Sequence, residues 1–131
     1  MVRQDSEAAR RYVERELKTH ICEPFIGLLV ERNGKQVGAV ILNDYRPKWN
    51  IEVTAASSGP WSISDLREII RYCFERVNRI TVRTSVKNTR AIYILGVMGF
   101  RQEGIMREFF DCGDAMVMGL LKSEQKIVRL N

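Results

Sequence analysis

Histidine is nearly absent from this chain. His20 is the one imidazole among 131 residues, and the three cysteines, Cys22, Cys73 and Cys112, stand far apart. No pair or cluster has the spacing of metal ligands, so no metal site is expected, and an odd number of scattered thiols makes no disulfide framework. A cysteine nucleophile needs an activating base beside it, and His20 is the only histidine on offer. Long apolar runs are missing as well. Phe25–Val30 and Val37–Leu42 are the longest, far below the ~20 residues that span a bilayer. Met1–Glu7 is not followed by the apolar core of a signal peptide, so no membrane partner and a cytoplasmic location are expected. No linker rich in Pro, Gly or Ser and no internal repeat divides the sequence, and residues 1–131 are read as one domain. Lys and Arg exceed Asp and Glu by five, yet they form no run resembling a nucleic-acid arm. The excess admits a phosphate-rich small partner, and nucleic acid is not an expected one.

What is present is a core-forming alternation of elements. Hydrophobic residues make up 45% and charged ones 28%, the balance of a globular domain. Ala9, Tyr12, Val13 and Leu17 mark one face of a helix over Ser6–Lys18. Phe25–Arg32 and Lys35–Asp44 read as strands joined by Asn33-Gly34, a two-residue hairpin turn. Pro47 breaks the chain, and Trp49–Ala55 is a third strand. The clearest helix covers Ser64–Val77, where Leu66, Ile69, Ile70, Cys73, Phe74 and Val77 form one stripe. Ser62 precedes it as an N-cap with Asp65 three residues on. Ile80–Val86 is a β-branched strand, Asn88–Val97 a second amphipathic helix, and Phe100–Phe110 and Ala115–Leu121 are closing strands. A helix between Trp49–Ala55 and Ile80–Val86 implies a parallel pair, with antiparallel hairpins on either side. The expected fold is α/β with a mixed sheet flanked by helices.

The stretch Ser85–Gly104 carries a further signal. Asn88 and Ala91 open a helix, Gly99-Phe100 ends it, and Glu103-Gly104 lies in the strand beyond. This pattern resembles the C-terminal signature of the GNAT acetyltransferase superfamily, and the order of elements from Phe25 to Glu124 agrees with it. The resemblance implies a central sheet whose two parallel strands splay apart, with acetyl-CoA as cosubstrate in the gap and an amine as acceptor. Backbone groups of Val53, Thr54 and Ala55 would then pair with the pantetheine arm. Ser57, Ser58, Gly59, Trp61, Ser62 and Ile63 would form the diphosphate loop over a helix N-terminus, and Asn88 would touch the cofactor arm or act only as an N-cap.

The family's glycine-rich diphosphate loop is replaced here by Gly59-Pro60-Trp61-Ser62, in which Pro60 has no N–H. A Trp-Ser element at this place is similar to that of compact phage- and prophage-type members. Glu52 matches the family's general base, against the alternative of an exposed strand glutamate. The family's tyrosine acid falls on Leu95, and Tyr93 is about 200° away around the helix, which resembles the ribosomal-protein N-terminal acetyltransferases. Tyr45 and Arg46 would contact the acceptor or merely make a turn. The short N-terminal region implies an acceptor cleft open to a peptide, protein or small-molecule amine, or closed by a second subunit in a homodimer. The expected function is acetyl transfer from acetyl-CoA to an amine, and its alternative is an inactive acyl-CoA-binding scaffold.

Overall fold

The computed structural model describes residues 1–59 and 61–130, so Pro60 lies outside the described residues. The elements run β1 (Val2–Gln4), α1 (Ser6–Leu17), β2 (Ile26–Arg32), β3 (Lys35–Arg46), β4 (Lys48–Ser57), α2 (Ile63–Phe74), β5 (Val77–Ser85), α3 (Thr89–Val97), β6 (Arg101–Phe110) and β7 (Gly113–Leu121). One seven-stranded sheet has the order β1-β2-β3-β4-β5-β7-β6. Only β4 and β5 pair in parallel among the described residues, and every other neighbour is antiparallel. This is the mixed sheet expected from the order of elements.

Alternation along the strands divides the core in two. Leu28, Val30, Val40, Leu42, Ile51, Ile80, Met118 and Leu120 face α2, whose Ile69, Ile70, Cys73 and Phe74 fill that side. Leu29, Ala39, Ile41 and Ala56 face α1 and meet its Ala9, Tyr12 and Val13. Period-2 side chains and 3.6-residue stripes together give this two-sided arrangement. Gly27 lets α1 come close, because a Cβ there would lie 2.6 Å from Ala9 Cβ and 2.9 Å from Ser6 Cα. Among the described elements, α1 rests mainly on β2, β3 and β4. The same face of β5, β7 and β6 carries no helix among the described residues.

Several boundaries differ from the sequence reading. Strand β1 was not anticipated: three residues alternate too briefly to register, and pairing with Leu28–Val30 is what orders them. Helix α2 ends at Phe74, and Val77 opens β5 instead of closing the helical stripe. Val77 is apolar and buried in either role, so the pattern could not separate them. Pro47 does not interrupt the sheet but sits in the turn of the β3–β4 hairpin. Positive φ at Asp44 and Lys48 absorbs the bend, and the pairing is irregular between Asn43 and Arg46. Leu17 stays exposed rather than joining the face of α1.

The thiols report on this packing. Cys73 is wholly buried, and burial pushes its thiol up to about 12, whereas Cys22 and Cys112 are exposed. Native protein titrated with a chromogenic disulfide at neutral pH should therefore release two equivalents quickly. The third should appear only on unfolding; three fast equivalents would contradict the α2 packing.

Candidate functional site

The sheet opens at its centre. Strand β4 pairs with β5 from Lys48↔Val77 to Val53↔Val82 and no further. Both strands continue with their outer partners, β4 along β3 to Ser57↔Gly38 and β5 along β7 to Ser85↔Ala115. Past Val53 and Val82 the two halves of the sheet thus separate, and Thr54–Ser57 present a backbone edge with no partner strand on the β5 side among the described residues. Unpaired backbone groups at such an edge are donors and acceptors for an extended ligand. Val53 closes the base of the split, with Thr54 and Ala55 just beyond it.

Polar side chains gather at that base, on the α1 side of the sheet. Asn50, Glu52 and Thr81 are 3%, 9% and 8% exposed, so each needs a partner. Thr81 Oγ1 donates to Asn50 Oδ1 at 2.7 Å and accepts from Arg79 Nε at 3.0 Å. Arg79 in turn pairs with Glu103 across β7. The hydrogen bond from Arg79, opposed by partial desolvation and aided by its charge, holds the Glu103 carboxyl below its usual range. Gly119 makes room for that pair, since a Cβ there would lie 2.6 Å from Arg79 Nη2 and Glu103 Oε2. One rung along, Arg83 Nη1 donates to both oxygens of Glu52. Glu52 is therefore a buried, ion-paired carboxylate and not an exposed strand glutamate.

The loop above the split is built differently from a plain phosphate loop. Ser62 caps α2: its hydroxyl accepts from Asp65 N–H at 3.0 Å, and the Asp65 carboxylate accepts from Ser62 N–H at 3.1 Å. The expected capping box is present with Asp in the third position. Asp65 also accepts from the Met1 amino group at 2.9 Å. Burial raises its pKa, but these hydrogen bonds outweigh burial and the net shift is downward, which puts a negative charge beside the helix end. Ile63 and Ser64, the first two helical residues, keep outward-pointing N–H groups by helix geometry. Trp61 turns away from the split. Its indole donates to Val37 O at 3.3 Å and fills the space left by the missing side chain of Gly38. Ser58 receives a hydrogen bond from the buried hydroxyl of Tyr12, and its N–H donates to Val37 O.

Of the residues singled out in the sequence, Thr54, Ala55, Ser57, Ser58, Gly59, Ser62 and Ile63 surround the open end, with Glu52 and Val53 at its base, while Trp61 shares the loop but seats its indole on Gly38. Asn88 reaches the same end three residues after β5, and its side chain caps α3 by accepting from Ala91 N–H at 3.2 Å. Tyr45 and Arg46 lie beyond the base of the split, away from its open end. They end β3 at its turn into β4, where Arg46 registers with Asn50 and Asp44 O accepts from Asn50 Nδ2 at 3.2 Å, about 10 Å along the strand from Val53. The β3–β4 turn and the open end of the split lie at opposite ends of β4. Leu95 packs against the α2-side core, while Tyr93 is 72% exposed.

Sequence reasoning missed Arg83, Thr81, Asn50 and Tyr12. A signal existed in Arg79, Thr81, Arg83 and Ser85, which alternate with Ile80 and Val82 and mark a polar face on a central strand. Gly38→Ala should force the Trp61 indole out of its slot and cost about 1–3 kcal/mol. Chemical denaturation together with a shift in tryptophan emission checks it, and an unchanged midpoint would contradict the packing.

No family model and no curated protein matches this sequence. Solved structures do. A chimera of the Vibrio cholerae spermidine N-acetyltransferase SpeG and hSSAT superposes with a TM-score of 0.78 at 16% identity, covering 94% of this chain and 96% of that one. An acetyltransferase of the GNAT family from Streptococcus pneumoniae gives a TM-score of 0.68 at 17% identity over 92% and 98% of the two chains. Mycobacterium smegmatis RimJ in complex with CoA-disulfide gives 0.66 at 18% identity, over 76% of this chain and 54% of that one. With the split between β4 and β5 and the mixed sheet order, these likenesses establish that this chain has the fold of the GNAT acetyltransferases.

Proposed function

We propose that this protein is an N-acetyltransferase that moves an acetyl group from acetyl-CoA to an amine by direct transfer. The observation that carries the reading is a buried carboxylate, Glu52, at the base of an opening between parallel strands. The fold neighbours are acetyltransferases, and one of them was solved with a CoA derivative, which supports the choice of donor.

Acetyl-CoA is a substrate consumed at each turnover and supplies an activated thioester. The free β4 edge at Thr54–Ser57 suits its extended amide-bearing arm, and the N–H groups at Ile63 and Ser64 suit its diphosphate. Asp65 weakens the fit, because its charge opposes phosphate at the helix end. In the transfer, the neutral amine nitrogen attacks the thioester carbon. The C–N bond forms, the C–S bond breaks, and the proton lost by nitrogen balances the charge left on the thiolate. Glu52 would take that proton, directly or through water, with Arg83 holding it in position. A backbone N–H on the free edge would stabilise the oxyanion. With Leu95 at the tyrosine position and Tyr93 in solvent, the thiolate takes its proton from water.

One set of observations favours a second reading, an acyl-CoA-binding scaffold without turnover. Glu52 is already paired with Arg83, Asp65 sits at the phosphate end, and position 95 has no hydroxyl. Calorimetric titration with acetyl-CoA and CoA, followed by an acceptor screen, separates the two. Binding with turnover supports the enzyme, binding alone the scaffold, and no binding at high micromolar concentration removes both.

Glu52→Gln should lower turnover roughly 100-fold while CoA affinity stays nearly constant; undiminished turnover would remove Glu52 as base. Ser62→Asp keeps a good N-cap but adds negative charge, and should weaken CoA binding about fivefold. Unaltered affinity in the titration would refute the diphosphate placement.

A further inference from the structure

The base of the split contains two buried polar atoms that the protein itself leaves unpaired. Arg83 Nε and Asn43 Oδ1 are buried and have no hydrogen-bond partner among the described residues. Both adjoin Glu52. Asn43 is its cross-strand partner on β3, and Arg83 holds its carboxylate from β5. The third such atom, Arg10 Nε, belongs to a guanidinium on α1 already paired with Glu7 and Glu14. Thr81, Asn50, Arg79 and Glu103 satisfy one another, so the unmet hydrogen-bonding capacity is concentrated around Glu52.

The two atoms are of opposite kind. Asn43 Oδ1 accepts and Arg83 Nε donates. Arg83 uses only Nη1 on Glu52, which leaves the edge formed by Nε and Nη2 free. Two parallel N–H groups on one edge of a guanidinium match the two oxygens of a carboxylate. The Phe109 ring lies 5.4 Å from the guanidinium carbon and limits how that group can turn. The side chain is 30% exposed at its Nη2 end while Nε is covered, so a ligand would enter at Nη2 and meet Nε only after a small shift of the side chains over it. Glu52 and Arg83 also cancel each other's charge. A simple cationic amine would meet no net attraction there and would leave Arg83 Nε buried and unpaired, at a cost. A zwitterion meets both needs.

We propose that the acceptor is a free α-amino carboxylate. Its nitrogen would be taken by Glu52 and Asn43 Oδ1, and its carboxylate would be recognised by the Nε–Nη2 edge of Arg83. One carbon separates the two groups in such a molecule, which suits two side chains that touch each other. The proposal deepens the acetyltransferase reading and rests on it.

The experiment compares three acceptor series with acetyl-CoA: free α-amino acids, their carboxamides, and the corresponding decarboxylated amines. The best amino acid should exceed its amide and its amine in kcat/KM by at least about 100-fold. Arg83→Lys keeps the charge but loses the fork, and should collapse that ratio to within a few-fold; Arg83→Gln should do the same wherever it folds. A second measurement needs no turnover: in the presence of CoA, an N-acetyl amino acid should bind at least 10-fold more tightly than its N-acetyl amide. Amides, simple amines or peptide N-termini acetylated as well as free amino acids would overturn the carboxylate and leave acetyl transfer standing. A ratio unmoved by Arg83→Lys would overturn Arg83 as its reader. CoA binding without turnover, and without discrimination between the N-acetyl pair, would overturn the proposal and leave the scaffold. Absence of CoA binding would overturn the acetyltransferase reading itself.

Discussion

The structure turns on a parallel pairing that stops early. Strands β4 and β5 share five registered pairs and then part after Val53 and Val82, while each keeps its antiparallel partner on the other side. A sheet that opens in this way needs both halves to be stable without the lost rungs. The β3–β4 hairpin and the β5–β7 pair provide that, and the α2 stripe of Ile69, Ile70, Cys73 and Phe74 bridges the closed part. Because α2 connects the two strands, its N-terminus falls at the open end, as does the start of α3 after β5. The backbone edge, the helix end and the Asn88 cap come together as consequences of one topological feature.

The same split explains why polar residues lie in the middle of the sheet. Central strands are ordinarily apolar on any face that is packed. On the α1 side, however, the helix covers mainly β2, β3 and β4, and the neighbouring face is left to Arg79, Thr81, Arg83 and Glu103. These side chains are closed into pairs, and Gly119 is needed for one of them to cross β7. A buried network of this kind is costly unless every member is satisfied. The two atoms left over beside Glu52 are for that reason the most informative atoms in the molecule.

Much of the fold was legible in the order of elements. The helix at α2 and its capping box could be read because the stripe and the Ser62–Asp65 spacing are local. The Asn33-Gly34 hairpin was legible for the same reason. Strand β1 was not, since three residues carry no usable period and only the edge of β2 gives them a conformation. The end of α2 was misplaced because Val77 is buried whether it ends a helix or starts a strand. In the site, Glu52 could be named, but its burial could not, and that Tyr45 and Arg46 stand at the turn end of β4, away from its open end, follows only from the direction of that strand. Trp61 could be placed in the loop before α2, but the seat of its indole on β3 at Gly38, a contact between residues more than twenty positions apart, could not be read.

The sequence by itself determined the helices and all strands but β1, the parallel relation of β4 and β5, and the residues that line the loop between β4 and α2. Hydrophobic period and turn chemistry act over a few residues, and they are written in the chain directly. Only the tertiary structure decided that Glu52 is buried against Arg83, that Tyr12 and Trp61 are tied to the frame, and that Asn43 and Arg83 each retain an unpaired atom at the base of the split. Those facts depend on register between strands distant in sequence and on which sheet face a short helix leaves uncovered, and neither quantity is set by any local pattern.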